Sequence, residues 1–348
     1  MAEPSIGQGG WVVTRLARLS VRGFKSIREL EDFQLAPKLN VLIGANGAGK
    51  SNFISLFRML AEMVEGRLQL FGKSEDGPDA LLFGGRKRTQ EINVELYFAR
   101  NGYRFTLAPA ANQLVFSKEE TYFAGDFVSE WRPLGSAHIE AKLPTVENDT
   151  LARYVFPAVR SWRVFHFHDT STSAPVRLAQ AVRDNLRLKP DASNLAPFFG
   201  DFVDRPDPGE RIELEWLEVE DRDTPRGPLQ LSDGTLRFIC LATLLLQPWQ
   251  LQPDTIIVDE PELGLHPYAL AVLGGLLRQA SEQKQIIVST QSVELVNQFS
   301  PGDVIIAERH EGASVFRRLD ADHLKEWLED YALGELWKMN VVGGRPTR

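Results

Sequence analysis

Gly44-Ala-Asn-Gly-Ala-Gly-Lys-Ser51 is the stretch from which this 348-residue chain is best read. It matches G-x-x-x-x-G-K-[ST] in full. Leu39-Asn-Val-Leu-Ile43 precedes it and reads as a buried strand. From Ser51 onward Phe53, Ile54, Phe57, Leu60 and Met63–Val64 recur at helical spacing. Strand, glycine loop and helix form the context in which this motif grips phosphate. Glycine lets successive N–H groups converge on oxygen without a Cβ in the way, and the helix N-terminus adds partial positive charge. The expected nucleotide-binding residues are therefore Gly44, Ala45, Asn46, Gly47, Ala48, Gly49, Lys50 and Ser51, with Asn52 one step further. Lys50 is expected to reach the β- and γ-phosphates, and the Ser51 hydroxyl to ligate Mg²⁺. A glycine-rich turn with a chance Gly-Lys-Ser is the plain alternative.

Far downstream, Thr255-Ile-Ile-Val-Asp259-Glu260-Pro261 reads as a buried strand ending in two carboxylates. Strand alternation would send them to opposite sides. Asp259 then suits the Mg²⁺ shell, and Glu260 can face and activate an attacking water. Leu231-Ser-Asp-Gly-Thr235 opens a nearly all-apolar helix, Leu236–Leu246. Ser232 can cap that helix and Gly234 lets backbone approach closely, which makes a second anion site. An ordinary N-cap is the alternative there, as solvated acids at a strand end are for Asp259 and Glu260.

These motifs sit in an alternating pattern. Strands at Thr255–Val258, Gln285–Ser289 and Asp303–Ile306 separate helices at Pro267–Ala280 and Val293–Phe299. Such alternation predicts a mostly parallel sheet flanked by helices. Partly alternating runs at Leu16–Phe24, Glu91–Phe98 and Tyr103–Leu107 predict an antiparallel N-terminal β lobe. A hairpin is expected around Glu311–Gly312, then an amphipathic helix carrying Leu324, Trp327, Leu328 and Tyr331. The pattern is weakest between 101 and 214. We divide the chain, as one composite head over 1–348, into an N-terminal lobe with the phosphate loop (12–100), an inserted subdomain (101–214), the second half of the core (215–310) and a C-terminal hairpin and helix (311–348).

Composition narrows the class. Net charge is −8, with 43% hydrophobic and 25% charged residues, which excludes a disordered chain and a uniformly basic nucleic-acid coat. The single cysteine, Cys240, excludes a disulfide framework and a cysteine-based zinc site, and it reads as an inert core residue. No apolar run is long enough to span a bilayer, and the first ten residues, small and polar, carry no basic-then-apolar leader. A loose N-terminus, a cytoplasmic location and no membrane partner are the expectations.

Taken together these motifs resemble the RecF/SMC-like branch of ABC-type ATPases, which includes the head of the OLD family. Val21-Arg-Gly-Phe-Lys-Ser-Ile27 looks like that branch's first strand, and Asn46 and Asn52 around the loop are typical of it. The likeness covers 12–98 and 228–310 well and the middle poorly; the tail with Trp337 and Gly343-Gly-Arg-Pro346 also resembles stand-alone members. The resemblance implies an α/β P-loop NTPase of ABC type that hydrolyses ATP with Mg²⁺ and pairs as a homodimer or higher even oligomer. In that family the signature element, here Ser232 and Gly234, closes over the γ-phosphate held by the opposite subunit. Leu231-Ser-Asp-Gly-Thr235 departs from the usual leucine-serine-glycine-glycine-glutamine at Asp233 and Thr235, which argues against a transporter motor. Glu262-Leu-Gly-Leu-His266 matches the loop that lines the dimer seam. Gln291 stands where relatives often carry histidine; it can hydrogen-bond a γ-phosphate or the water but cannot hold a proton as imidazolium. We expect neither long coiled-coil arms nor a TOPRIM nuclease domain, so that any nuclease would be a separate chain. The implied output is DNA engagement or control of a separate effector, a nuclease or toxin, in DNA repair or anti-phage defence. A nucleotide-sensing scaffold with negligible turnover is the rival, and Gln291 is its support.

Two other clusters stay open. Phe165-His166-Phe167-His168-Asp169 offers two histidines and an acid, an incomplete transition-metal set. A strand at the junction of the inserted segment, with polar groups near the nucleotide, is the preferred reading. Arg86-Lys-Arg88 together with Arg15, Arg18, Arg22, Lys25 and Arg28 either touches DNA phosphates or makes a solvated face. Lys25 and Ser26 are alternatively nucleotide contacts.

Overall fold

The computed structural model describes residues 15–124, 129–145, 152–182, 186–199, 211–219, 221 and 223–344. The N-terminal expectations on residues 1–14, and the last residues of the Gly343–Pro346 tail motif, lie outside the described residues.

In chain order the strands are β1 (Arg18–Phe24), β2 (Ile27–Gln34), β3 (Leu39–Ile43), β4 (Ile92–Phe98), β5 (Asn101–Ala110), β6 (Gln113–Ala124), β7 (Ser129–Gly135), β8 (Arg163–Phe165), β9 (Gln180–Ala181), β10 (Arg211–Ile212), β11 (Thr255–Asp259), β12 (Gln285–Ser289), β13 (Val304–His310) and β14 (Ala313–Arg318). The helices are α1 (Lys50–Val64), α2 (Leu68–Ser74), α3 (Pro78–Leu81), α4 (Ala152–Ser161), α5 (Leu195–Phe199), α6 (Asp233–Leu246), α7 (Pro267–Ser281), α8 (Val293–Val296), α9 (Trp327–Asp330) and α10 (Leu333–Lys338).

Two six-stranded sheets carry the molecule. One runs β2-β1-β4-β5-β6-β7, antiparallel throughout. The other runs β14-β13-β3-β12-β11-β8, parallel except for the β14 edge. The centre of the parallel sheet is buried on both faces, which is why the middles of its inner strands, Val41–Ile43, Ile256–Val258, Ile286–Val288 and Val304–Ala307, are apolar. Leu39, Val41 and Ile43 of β3 enter one core with α6, α7 and α10, while Leu42 enters the other. That second core joins the two sheets around α1. Phe53 of α1 sits 5.2 Å from Phe316 and 5.5 Å from Phe57, whose ring lies 5.1 Å from Trp162. Fully buried aromatics of this size contribute roughly 1.5–3 kcal/mol each, so α1 is the keel between the layers.

The antiparallel sheet extends further than the weak pattern after residue 100 suggested. The expected boundary at residue 100 falls inside the β4–β5 hairpin, where Phe98 faces Asn101. Two expected helices are cut short. Val293–Phe299 is helical only to Val296. The amphipathic helix expected around Leu324–Tyr331 is a 3-10 turn at Asp322–Leu324, the single turn α9, and then α10. Leu324 is buried and Trp327 half exposed, so the helical spacing there does not mark one buried face.

Candidate functional site

The parallel register brings the separate motifs together. Ser289 lies beside both Leu42 and Asp259, and Ile306 beside Ile43. The carboxyl ends of β3, β12, β11 and β13 therefore share one edge, the edge at which open α/β sheets bind ligands. The phosphate loop leaves β3, the acidic pair leaves β11, Gln291 follows β12, and β13 ends beside the loop.

The loop wraps the start of α1. Gly49 takes φ 109 at the N-cap, and a Cβ there would overlap the Ser314 hydroxyl of β14. Only glycine fits that position. Lys50 is buried, and its Nζ donates to the Gly44 carbonyl at 2.7 Å and the Ala45 carbonyl at 3.1 Å. Burial pushes the Lys50 ammonium below the usual lysine value, while the carboxylates of Glu260, Glu262 and Asp259 pull it back up. The three carboxylates therefore lie within electrostatic reach of Lys50. Asn46, Gly47 and Ser51 are exposed at the rim, whereas Ala48 is buried. The Ala45 N–H donates to Gly344 O at 2.8 Å, so that amide faces the C-terminal tail instead of an incoming phosphate. Asn52 donates to the Ser26 hydroxyl at 2.7 Å and ties α1 to the β1–β2 turn.

The acids do not simply alternate. The strand ends at Asp259, and Glu260 turns left-handed with φ 45. Asp259 accepts from the Ser289 hydroxyl. Gln291 joins two acids: its side-chain amide donates to Glu260, and its backbone N–H donates to Glu262 at 2.6 Å. Glu262 was quoted in the sequence only as part of a loop. Here it is a third carboxylate of the site, with one buried oxygen that has no partner among the described residues. Burial pushes its carboxyl pKa up, against the hydrogen bonds it accepts.

The signature-like turn is built as expected at Ser232, which caps α6 by accepting from Thr235 N at 3.1 Å. A Cβ at Gly234 would overlap the Gly264 carbonyl, so Gly234 permits contact with the loop after the acids. Asp233, the departure from the familiar signature, has a physical partner. Arg177 is buried and donates to Asp233 at 2.7 Å, Thr170 O at 2.8 Å and Leu231 O at 3.1 Å. Arg237 of α6 donates to His168 O at 2.8 Å, Leu263 O at 3.0 Å and Phe167 O at 3.1 Å. Nothing in the sequence pattern singled out either arginine, because a guanidinium reaching backbone carbonyls leaves no periodic trace.

The histidine cluster follows the junction reading. β8 lies beside β11, and His168 Nε2 sits 3.2 Å from the Asp259 carbonyl. Among the described residues no group of three or more His, Cys, Asp or Glu is arranged to hold a metal ion. Oxygen donors at Asp259 and Ser51 still fit Mg²⁺, which takes one or two protein oxygens and completes its shell with phosphate and water. Most of the basic residues are engaged at home. Arg22 pairs with Glu29 at 2.8 Å, Lys25 with Glu75 at 2.7 Å, and Arg86 with Asp79 at 2.5 Å. Arg18 pairs with Asp32, and Arg88 lies 4.7 Å over the Phe83 ring. Lys25 also donates to Ser55, and Ser26 shares a hydrogen bond with Ser314.

Residues 39–297, most of the chain, match the family model described as "AAA domain, putative AbiEii toxin, Type IV TA system". The chain belongs to this AAA-domain family. The AAA domain is also similar in part to a "Putative ABC transporter ATP-binding protein" of Methanosarcina acetivorans, 36% identical over 28% of this chain and 34% of the relative. One of Geobacter sulfurreducens is 32% identical over 23% of this chain and 30% of the relative. The chain thus matches about a third of the length of these curated relatives. Among solved structures the AAA domain superposes on a Pyrococcus furiosus Smc head with an extended coiled coil bound to the C-terminal domain of ScpA. There the TM-score is 0.58 and the identity 13%, over 90% of this chain and 98% of that one. A second Smc head, bound to the C-winged helix domain of ScpA, gives TM-score 0.57 and 15% identity over 88% and 99%. At such identity the likeness is one of fold: an α/β P-loop ATPase of ABC type with an antiparallel second sheet. No helix among the described residues is long and apolar enough to cross a membrane.

Proposed function

We propose that this chain binds ATP with Mg²⁺, hydrolyses it, and closes against a second copy when ATP is bound. One observation carries the reading: the shared carboxyl edge of β3, β12 and β11, where loop, acids and Gln291 meet. The amides from Asn46 to Ser51 and the Lys50 ammonium hold phosphate charge. Asp259 and Ser51 hold Mg²⁺, which supplies charge neutralisation at the transferring phosphoryl group. Glu260 orients and deprotonates the attacking water. Pairing is supported by the exposed Leu263, Gly264, His266, Pro267 and Tyr268, a loop that meets the capped turn where Gly264 approaches Gly234. A second copy presenting Ser232 and Gly234 would complete the anion site.

The differential contacts of the two states drive the cycle: ATP bridges both copies, and hydrolysis removes the bridge. The output is control of a separate effector or DNA engagement in DNA repair or defence. The home pairing of the basic residues favours the effector, and a family described by a toxin–antitoxin system agrees. Working as one composite head over its whole length, in the cytoplasm, is part of the same proposal.

Glu260→Gln tests it. The variant keeps the Mg²⁺ site and loses water activation, so it is expected to bind ATP and elute as a dimer from size exclusion, with turnover reduced by roughly a hundredfold or more. A variant that stays monomeric with saturating ATP sinks the pairing mechanism. The second reading, a nucleotide-sensing scaffold that restrains a toxin or nuclease, has its own support in the Gln291 amide resting on Glu260, the carboxylate that water would need. Wild-type turnover near the rate in water, with tight ATP binding, would favour it.

A further inference from the structure

The C-terminal residues Val341–Gly344 have no part in the reading above, yet they touch the phosphate loop at its root. Trp337 of α10 is anchored in the core and Val342 is buried behind it. Gly343 and Gly344 both take φ 83. A Cβ on Gly344 would lie 3.1 Å from Ile306 and 3.2 Å from the Trp337 indole nitrogen. Two charged side chains hold the turn: Arg317 donates to Val342 O, and Glu308 accepts from Gly344 N at 2.8 Å. Gly344 O then accepts from Ala45 N at 2.8 Å.

This last bond has a geometric consequence. In a trans peptide the N–H and the C=O of one unit point in opposite directions. Drawing the Ala45 N–H toward the tail turns the Gly44 carbonyl of the same unit away from the tail. That carbonyl is the one that accepts from Lys50 Nζ at 2.7 Å. Tail, peptide and lysine form one line of hydrogen bonds. Gly44 itself lies close against β13, where a Cβ would overlap the Ala307 carbonyl. Further along, Arg309 donates to Gly47 O at 3.3 Å and Ser314 closes on Gly49. The loop is buttressed along its length by residues after 306.

We infer that Val341–Gly344 is a strap that presets the phosphate loop, with Gly344 a positioning residue that orients the Gly44–Ala45 peptide and through it Lys50. The inference rests on the ATP reading and adds to it the tail's role. A strapped loop needs no reordering when the triphosphate arrives, and preorganisation of this kind appears as affinity.

The test uses full-length Gly344→Val and Glu308→Ala, titrated with a fluorescent ATP analogue and Mg²⁺, with nucleotide-free Tm measured alongside. Losing one loop-orienting hydrogen bond is expected to weaken Kd about fivefold to tenfold. It is expected to do so while nucleotide-free Tm falls by no more than a few degrees. In a Lys50→Ala background, Gly344→Val is expected to add nothing to the residual weak binding, since the strap acts through Lys50. A strap that is only structural would lower Tm and leave Kd where it was, and that result overturns the inference. Wild-type Kd in both variants, with increased protease cleavage showing the tail displaced, overturns it too. Failure of the wild-type chain to bind the analogue is a different result: it removes the ATP reading and the strap falls with it.

Discussion

Two glutamates, one fully buried in the antiparallel sheet and one half-buried at the nucleotide edge, are satisfied very differently. Glu119, in the antiparallel sheet, is fully buried and accepts from Tyr103 OH at 2.7 Å, His138 Nε2 at 2.7 Å, Lys142 N at 2.9 Å and Leu143 N at 3.0 Å. Glu262, at the nucleotide edge, has one oxygen held by Gln291 N and one buried oxygen with no partner among the described residues. Burying a carboxylate is costly unless its oxygens find donors. The first residue recovers that cost locally and pins the 138–143 segment to β6. The second leaves it standing, beside the glycine loop at the carboxyl edge of the parallel sheet. At Glu119 four donors answer the two oxygens, whereas at Glu262 one oxygen goes unanswered.

The contrast is best attacked first at the nucleotide edge. Lys50→Ala is expected to cost on the order of a hundredfold or more in ATP affinity, measured by titration calorimetry. Folding should suffer little, because the ammonium is partly desolvated in the resting loop. Normal ATP binding by this variant would mean that the loop is not the cradle. At the other end, Glu119→Ala is expected to cost about 3–5 kcal/mol in urea unfolding, since it strands several buried donors at once. Its folded fraction should bind ATP with unchanged Kd. A loss of affinity there would erase the distinction between the two regions.

Glu262→Gln gives the smallest and most diagnostic effect. Burial raises this carboxyl's folded pKa above its unfolded value. The folded state then binds the proton more tightly than the unfolded state, so stability falls as pH rises from the ordinary glutamate range through the raised folded value, and levels off above it. The neutral amide removes that slope. The difference in unfolding free energy between wild type and variant, followed from pH 4 upward, should therefore grow in the variant's favour with pH. A difference that is flat with pH would mean that the burial of Glu262 is already compensated.

Much of the nucleotide edge was legible in the sequence because its signals are local. The Gly44–Ser51 loop, the strand into Asp259 and the cap at Ser232 each declare themselves within about ten residues. Gln285–Ser289 was readable to the residue, since its apolar centre Ile286–Val288, flanked by a polar residue on each side, suits a short strand buried in a parallel sheet. What was misread had mixed signals. Leu324, Trp327, Leu328 and Tyr331 have helical spacing, but the backbone there turns twice, with Tyr331 extended between α9 and α10. The β5–β7 stretch was underestimated because its outer face carries charge, as in Lys118, Glu120 and Arg132, which breaks the apolar pattern without breaking the sheet.

The sequence by itself determined that a glycine loop and two carboxylates exist, that each ends an apolar strand, and that the intervening order is helix and strand. Their chemistry is written in consecutive residues, where dihedral preference and hydrophobic burial act alone. Only the tertiary structure decided that Glu262 joins the acids, that Asp233 answers a buried Arg177, and that Gly344 reaches back to Ala45. Each of these is a contact between residues remote in the chain. Such contacts depend on strand order and on the direction of single carbonyls, and neither leaves a periodic mark in the sequence.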